Sequence, residues 1–298
     1  MTMPNFLIVG AAKAGTTALH AYLKQHPKIY MSSQKETNFF ALEGETVNFQ
    51  GPGDKETNDF SMVSLPVYQA EFKGVTNEVA IGESSPLYLY SPKAPERIRA
   101  HLSNVRLIII LRNPVERAYA NFLHLIRDDR EPHKDFTQAL QDEPKRIEEN
   151  WEWFWHYIQI GYYAKQIQRY YHIFDRSQIG IYLYEDFRKN PVALLQDIFG
   201  FLNVDDTFVP DMKIRPNKSG MPKNQFFHQL LTKPNPIKTA LKPLFPAVLR
   251  QKIQHSNLVK PEISPEVRQQ LSALYREDIL NCQDLIDRDL SHWLNYQI

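Results

Sequence analysis

The sequence predicts an α/β fold, a three-layer arrangement of a parallel sheet between helices, with a phosphate-binding loop at the end of its first strand. Three observations carry this. Four short runs rich in apolar and β-branched residues, 6–9, 79–82, 106–111 and 179–184, read as buried strands. Helical patterning follows each, and right-handed crossovers then put helices on both faces of the sheet. The first run leads straight into Gly10-Ala11-Ala12-Lys13-Ala14-Gly15-Thr16-Thr17.

In order along the chain, residues 6–9 feed that turn, whose glycines let successive amide N–H groups converge at a helix N-terminus and cradle an anion. The nucleoside-triphosphatase version of such a loop ends in Gly-Lys-Ser/Thr. Here Thr16 takes the lysine's place and the only loop lysine is Lys13, so its ammonium reaches a different atom of the ligand. A strand–turn–helix corner that needs glycine only for geometry is the plainer alternative. Helices are expected over residues 17–25, 94–101, 114–127, 162–174, 192–202 and 265–280, with proline in the first turn of some. The polar stretch 41–72, broken by Gly51-Pro52-Gly53, reads as a long loop excursion over the strands' carboxyl edge. The aromatic run Trp151-Glu152-Trp153-Phe154-Trp155-His156-Tyr157 reads equally as the wall of an acceptor pocket or as core. Pro234, Pro236, Pro243 and Pro246 divide residues 230–260 into a cap of short helices rather than a membrane anchor. A single domain over 1–298 carries both additions.

Composition narrows the function. Lys and Arg number 35 against 34 Asp and Glu, a net charge of +1 that gives no global attraction to nucleic acid or an acidic membrane. Cys282 is the only cysteine, which excludes an internal disulfide and a thiolate zinc set and fits a reducing compartment. No basic leader opens the chain, and no apolar run approaches the ~20 residues of a membrane span. A soluble, cytoplasmic protein is expected. No cluster of His, Cys, Asp and Glu has metal-site spacing, so no metal is expected.

Arg112 follows the run 106–111 directly, within Arg112-Asn113-Pro114-Val115-Glu116-Arg117-Ala118-Tyr119-Ala120-Asn121-Phe122. A parallel sheet puts its guanidinium at the same carboxyl edge as the loop 10–17, suited to a second anionic group on one ligand. Arg117 reads as a helix-surface cation before a phosphate contact.

With both elements placed, the chain resembles, over most of its length, the sulfotransferases that use 3′-phosphoadenosine 5′-phosphosulfate, PAPS. The loop resembles their 5′-phosphosulfate loop, and residues 112–122 resemble their 3′-phosphate element, Arg-Asn-Pro-x-x-Arg-Ala-Tyr-Ser-x-Tyr. Lys35-Glu36-Thr37-Asn38-Phe39-Phe40, Gly82-Glu83-Ser84-Ser85-Pro86-Leu87-Tyr88, Gly161-Tyr162-Tyr163-Ala164-Lys165-Gln166, Tyr184-Glu185-Asp186-Phe187 and Asp289-Leu290-Ser291-His292-Trp293 match lesser motifs in the same order. The likeness is nearest the branch with glycan and bacterial enzymes. One departure is Ala120, where the family usually has a serine for the 3′-phosphate. The missing hydrogen bond to a charged group is worth ~1.5–3 kcal/mol. Asn121 points about 100° away around the helix. Lys218 or Lys223, in a segment resembling the family's loop over the nucleotide, is the candidate replacement, with an exposed basic turn as the alternative.

Sulfuryl transfer to a hydroxyl needs in-line placement, stabilised charge on the leaving oxygen and a base. The resemblance implies Lys13 at the bridging oxygen. It implies Ala12, Ala14, Gly15, Thr16 and Thr17 around the 5′-phosphate, Thr17 also being able to cap the helix. It implies Glu36 as base, although beside Lys35 that residue reads from sequence alone as an ordinary surface ion pair. His124, one turn after Ala120 on the same helix face, is the second candidate. Glu83 matches a strand-end glutamate of the family, and Ser84 stands where several glycan-modifying members carry lysine. The implied donor is PAPS, leaving as 3′,5′-adenosine bisphosphate without a metal, and the implied acceptor is a small-molecule or carbohydrate hydroxyl. A nucleotide kinase and a non-catalytic nucleotide-binding protein are the alternatives. The displaced lysine opposes the first, intact Lys13 and Glu36 the second.

Overall fold

Five parallel strands in the order β2-β3-β1-β4-β5 form the central layer of a computed structural model, which describes residues 2–213, 221–222, 258–259 and 261–295. In chain order the elements are β1 (Phe6–Gly10), α1 (Thr16–Leu23), β2 (Ile29–Met31), α2 (Phe39–Leu42), α3 (Asp54–Phe60), α4 (Leu65–Ala70), β3 (Ala80–Ser84), α5 (Leu87–Tyr90), α6 (Ala94–His101) and β4 (Arg106–Leu111). There follow α7 (Pro114–Arg127), α8 (Phe136–Gln141), α9 (Glu143–Glu148), α10 (Tyr163–Tyr171), β5 (Ile179–Leu183), α11 (Tyr184–Lys189), α12 (Pro191–Phe201), the two-residue strands β6 (Met221–Pro222) and β7 (Leu258–Val259), and α13 (Pro265–Ile286). The expected α/β class and parallel sheet are present. β1 is buried at every position, as is β4 after Arg106, because helices cover both faces and leave no solvated side to alternate with.

α6 and α7 have the expected bounds. Asn113 sets the start of α7 by accepting the amides of Val115 and Glu116 at 3.0 and 3.3 Å, with Pro114 in the first turn. α13 runs past the expected 280 to Ile286, since Cys282 continues the buried stripe of Val267, Leu271, Tyr275 and Ile279. β2 has no counterpart among the expected strands. Three residues between polar neighbours are too few to show a period, and it joins the sheet at the edge, beside β3.

Two further expectations need correction, those for residues 41–72 and for Arg117, and the two readings of the aromatic run are now distinguished. Residues 41–72 are not one irregular loop, for α3 and α4 lie within them. Asp54 at the start of α3 is fully buried and accepts from Gly51 N at 2.7 Å, Glu152 N at 2.8 Å and Trp155 Nε1 at 2.9 Å, besides pairing with Arg130. The aromatic run is mainly core, with Trp153, Trp155 and Tyr157 buried, while half-buried Phe154 lies 5.7 Å from the His124 ring. Arg117 is not on the surface. The aromatic run covers the outer face of α7, so Arg117 is fully buried and donates to the Tyr157 carbonyl. Residues 230–260, apart from β7, lie outside the described residues, as do Lys218 and Lys223. No helix among the described residues is long and apolar enough to cross a membrane.

A buried ion pair fastens this aromatic layer. Arg146 makes two parallel hydrogen bonds of 2.8 Å to Glu131, both side chains are buried, and Tyr157 donates to the same carboxylate. Removing one partner strands the other charge in the interior. Glu131→Ala is expected to lower the unfolding free energy by about 3–5 kcal/mol in urea titrations, and a loss below about 1 kcal/mol would contradict this view of the layer.

Candidate active site

The strand order makes β1 a switch point. The chain builds outward to β3 and β2 on one side and to β4 and β5 on the other, the topology in which open α/β sheets bind ligands beyond the carboxyl end of the switch strand. Gly10 ends that strand, and a Cβ there would stand 2.6 Å from Leu89 Cβ, so glycine alone lets β1 pass so close to α5. Lys13 and Gly15 adopt left-handed φ of 65° and 100°. Among the described residues, no backbone acceptor takes the amides of Lys13, Gly15, Thr16 or Thr17, and Gly15 has no side chain to cap α1. The loop therefore presents free donors at the positive end of a helix. Ala12, Ala14 and Thr16 are buried within it.

Arg112 joins this loop directly. Its Nη1 donates to the Lys13 carbonyl at 3.0 Å, its guanidinium stacks 4.9 Å from the Tyr184 ring centre, and its Nη2 lies 3.5 Å from Glu116. Burial lowers its pKa, with Tyr184 and Glu116 acting the other way. The Arg112 carbonyl accepts from the Tyr163 hydroxyl at 2.9 Å. Two of the lesser motifs meet close by. Glu185 accepts from Trp293 Nε1, Asp186 pairs with Arg288 at 2.7 Å, and Asn113 Nδ2 donates to the Trp293 carbonyl at 3.2 Å. Those motifs brace the Arg112 corner from the far end of the chain.

Ala120 is buried on α7 and brings no hydroxyl. Asn121 does not replace it, because its amide is turned to the Phe154 carbonyl, 2.5 Å away. β6 lies against α7, so the chain just after the Lys218 segment returns to this helix.

The third group surrounds Lys13. Burial, then Arg127, lowers the Lys13 pKa to about 7, with Glu36 and Asp128 opposing. Glu36 pairs with Lys35 and is held at a left-handed φ of 64°. Burial, then Lys13 and Arg127, pushes His124 well below its ordinary pKa, so its ring is neutral. Nδ1 lies 2.6 Å from Arg127 Nη2. A guanidinium only donates, so Nδ1 accepts and the ring proton sits on Nε2. Arg127 was missed at the sequence level, where its one signal was the three-residue spacing from His124 on a helix. Among the described residues no group of three or more His, Cys, Asp or Glu side chains is placed to hold a metal ion.

Comparison with known proteins bears on the family. A family model described as a sulfotransferase domain matches residues 3–219. A sulfotransferase of Alicyclobacillus acidocaldarius of known crystal structure is 34% identical, with a TM-score of 0.81 covering 99% of this chain and 100% of that one. The chain is 23% identical to the membrane-associated sulfotransferase kil1 of Dictyostelium discoideum, over 76% of this chain and 61% of that protein. It is 30% identical to the bifunctional heparan sulfate N-deacetylase/N-sulfotransferase 2 of Bos taurus, over 68% of this chain and 22% of that protein. It thus spans less than two thirds of either curated relative. With the domain model matching most of the sequence and the fold shared along nearly all of it, the chain belongs to the sulfotransferase family.

Proposed function

We propose that this chain transfers the sulfuryl group of PAPS to a hydroxyl of a small-molecule or carbohydrate acceptor, with Lys13 at the leaving oxygen and Glu36 as base. The observation that carries the reading is Lys13 itself, set inside a loop of unpartnered amides that Arg112 clasps through the Lys13 carbonyl. The residues fit such a ligand at two places. The amides of Gly15, Thr16 and Thr17 suit the 5′-phosphate and Arg112 suits the 3′-phosphate, for which Lys218, outside the described residues, is the proposed further contact. PAPS, when bound, supplies the activated sulfuryl group and leaves as 3′,5′-adenosine bisphosphate.

The chain's own groups then divide the work. Lys13, its charge weakened by burial, regains full protonation beside an anion and offers that charge to the leaving oxygen. Glu36 takes the proton of the incoming hydroxyl, its carboxylate steadied by Lys35. His124 has its lone pair occupied by Arg127, so it donates through Nε2–H to the sulfuryl oxygens rather than acting as base. Phe154 offers an apolar face beside His124 for the acceptor.

Three outcomes are expected. With radiolabelled PAPS and a panel of sugars, phenols and aliphatic alcohols, Lys13→Ala and Glu36→Gln each lower turnover by about 10²-fold or more, while Glu36→Gln still binds 3′,5′-adenosine bisphosphate as the parent does. Undiminished turnover in both variants would rule out these roles. In calorimetry, binding of 3′,5′-adenosine bisphosphate weakens as pH rises above about 7, by up to tenfold per unit, because the deprotonated Lys13 must first take up a proton. Lys13→Met flattens the profile, and a flat parent profile would contradict the assignment. Restoring the family's hydroxyl with Ala120→Ser should tighten the same ligand by about tenfold or more, the scale of a hydrogen bond to a charged group. Unchanged affinity would place the 3′-phosphate away from α7.

A further inference from the structure

The turn that carries Glu36 holds an uncommon backbone. Glu36 and Asn38 have left-handed φ of 64° and 57°, and neither is glycine. Such a conformation persists only where surrounding contacts dictate it. Those contacts come from the end of β3. The Ser84 carbonyl accepts the Glu36 amide at 2.9 Å, and Ser85 Oγ accepts the Asn38 amide at 3.1 Å. Ser85 donates its hydroxyl proton to Glu83 Oε2 at 2.8 Å. A serine hydroxyl has one proton, so giving it to Glu83 leaves lone pairs for the Asn38 N–H. Thr37 Oγ1, between the two anchored amides, lies 3.1 Å from the Tyr88 hydroxyl, and Tyr68 donates to Glu83 Oε1 at 3.4 Å.

Glu83, Ser85, Thr37 and Asn38 are fully buried, so none of them meets a substrate. Burial raises the Glu83 pKa to about 7, against the hydroxyls of Tyr88, Ser85, Tyr68 and Thr37 that draw it down. Glu83 is also paired in register with Leu7 of β1, the strand that leads into the Lys13 loop. Glu83, with no route to solvent, is thereby tied through its backbone to the strand beneath Lys13 and through its carboxyl and Ser85 to the turn of Glu36.

We propose that Glu83 and Ser85 are positioning residues: the chain Glu83–Ser85–Asn38 fixes the left-handed turn over 36–38 and so sets where the Glu36 carboxylate stands relative to Lys13. This rests on the reading of Glu36 as base, and a double-mutant cycle separates the two. Turnover of PAPS is followed as release of 3′,5′-adenosine bisphosphate, with water or the best alcohol of the panel as acceptor, for the parent, Ser85→Ala, Glu36→Gln and the pair combined. Ser85→Ala is expected to lower kcat about tenfold or more, to leave the Kd of 3′,5′-adenosine bisphosphate within twofold, and to cost nothing further once Glu36 is Gln. Glu83→Gln, which keeps an acceptor oxygen for Ser85, should exceed Glu83→Leu in kcat by about tenfold. An equal loss from Ser85→Ala in both Glu36 backgrounds would show that the network acts on the fold at large and overturn the inference, as would a silent Ser85→Ala beside an impaired Glu36→Gln. Full kcat in Glu36→Gln, or no turnover in the parent, would remove the base reading and this inference with it.

Discussion

β1 is paired on both edges by parallel strands, and that pairing governs everything functional in the molecule. Its register with β3 and β4 brings three carboxyl ends, at Gly10, Ser84 and Leu111, to one edge of the sheet, at the spacing of neighbouring strands, about 4.8 Å. The anion loop hangs from the first, the Glu36 turn is tied to the second, and Arg112 springs from the third. No loop has to reach far, and each part is built on a rigid element whose position the buried sheet already fixes.

The electrostatics follow from this crowding. Burial first, and then Lys13, Arg127, Arg130 and Lys35, hold the His124 ring neutral. Lys13 shares the same surroundings and its charge is weakened in the absence of an anion. On the proposed function such a site is poised rather than satisfied: a polyanion entering it would relieve the repulsion among cations and fill the amides of the loop at once. Acidic partners take up the cations further out, as Asp54 and Glu152 do for Arg130 and Asp128 does for Arg127, leaving Lys13 as the cation within the loop.

What the sequence discloses depends on how local the cause is. β4 is legible because every residue after Arg106 is Leu or Ile, and α7 because Asn113-Pro114 announces its start. The loop and Arg112 are legible because glycine spacing and the rule of strand ends are both short-range. Arg117 is not, for a lone arginine on a helix looks solvated until one knows that residues 151–157 fold over it. The state of the His124 ring depends on where one guanidinium settles, and the Glu83–Ser85–Asn38 connection depends on the packing of a turn nearly fifty residues upstream. Each of those is decided by tertiary contact, which neither spacing nor propensity encodes.

The weakened charge of Lys13 inside an anion cradle is the centre of this view, and it can be watched without any acceptor. In protein carrying ¹³C-labelled lysine side chains, with Lys13→Met used for assignment, the Lys13 resonance should titrate near pH 7 in the free protein and at least one unit higher with 3′,5′-adenosine bisphosphate bound. A free-protein value near the ordinary ~10.4, or a value unmoved by the nucleotide, would contradict it.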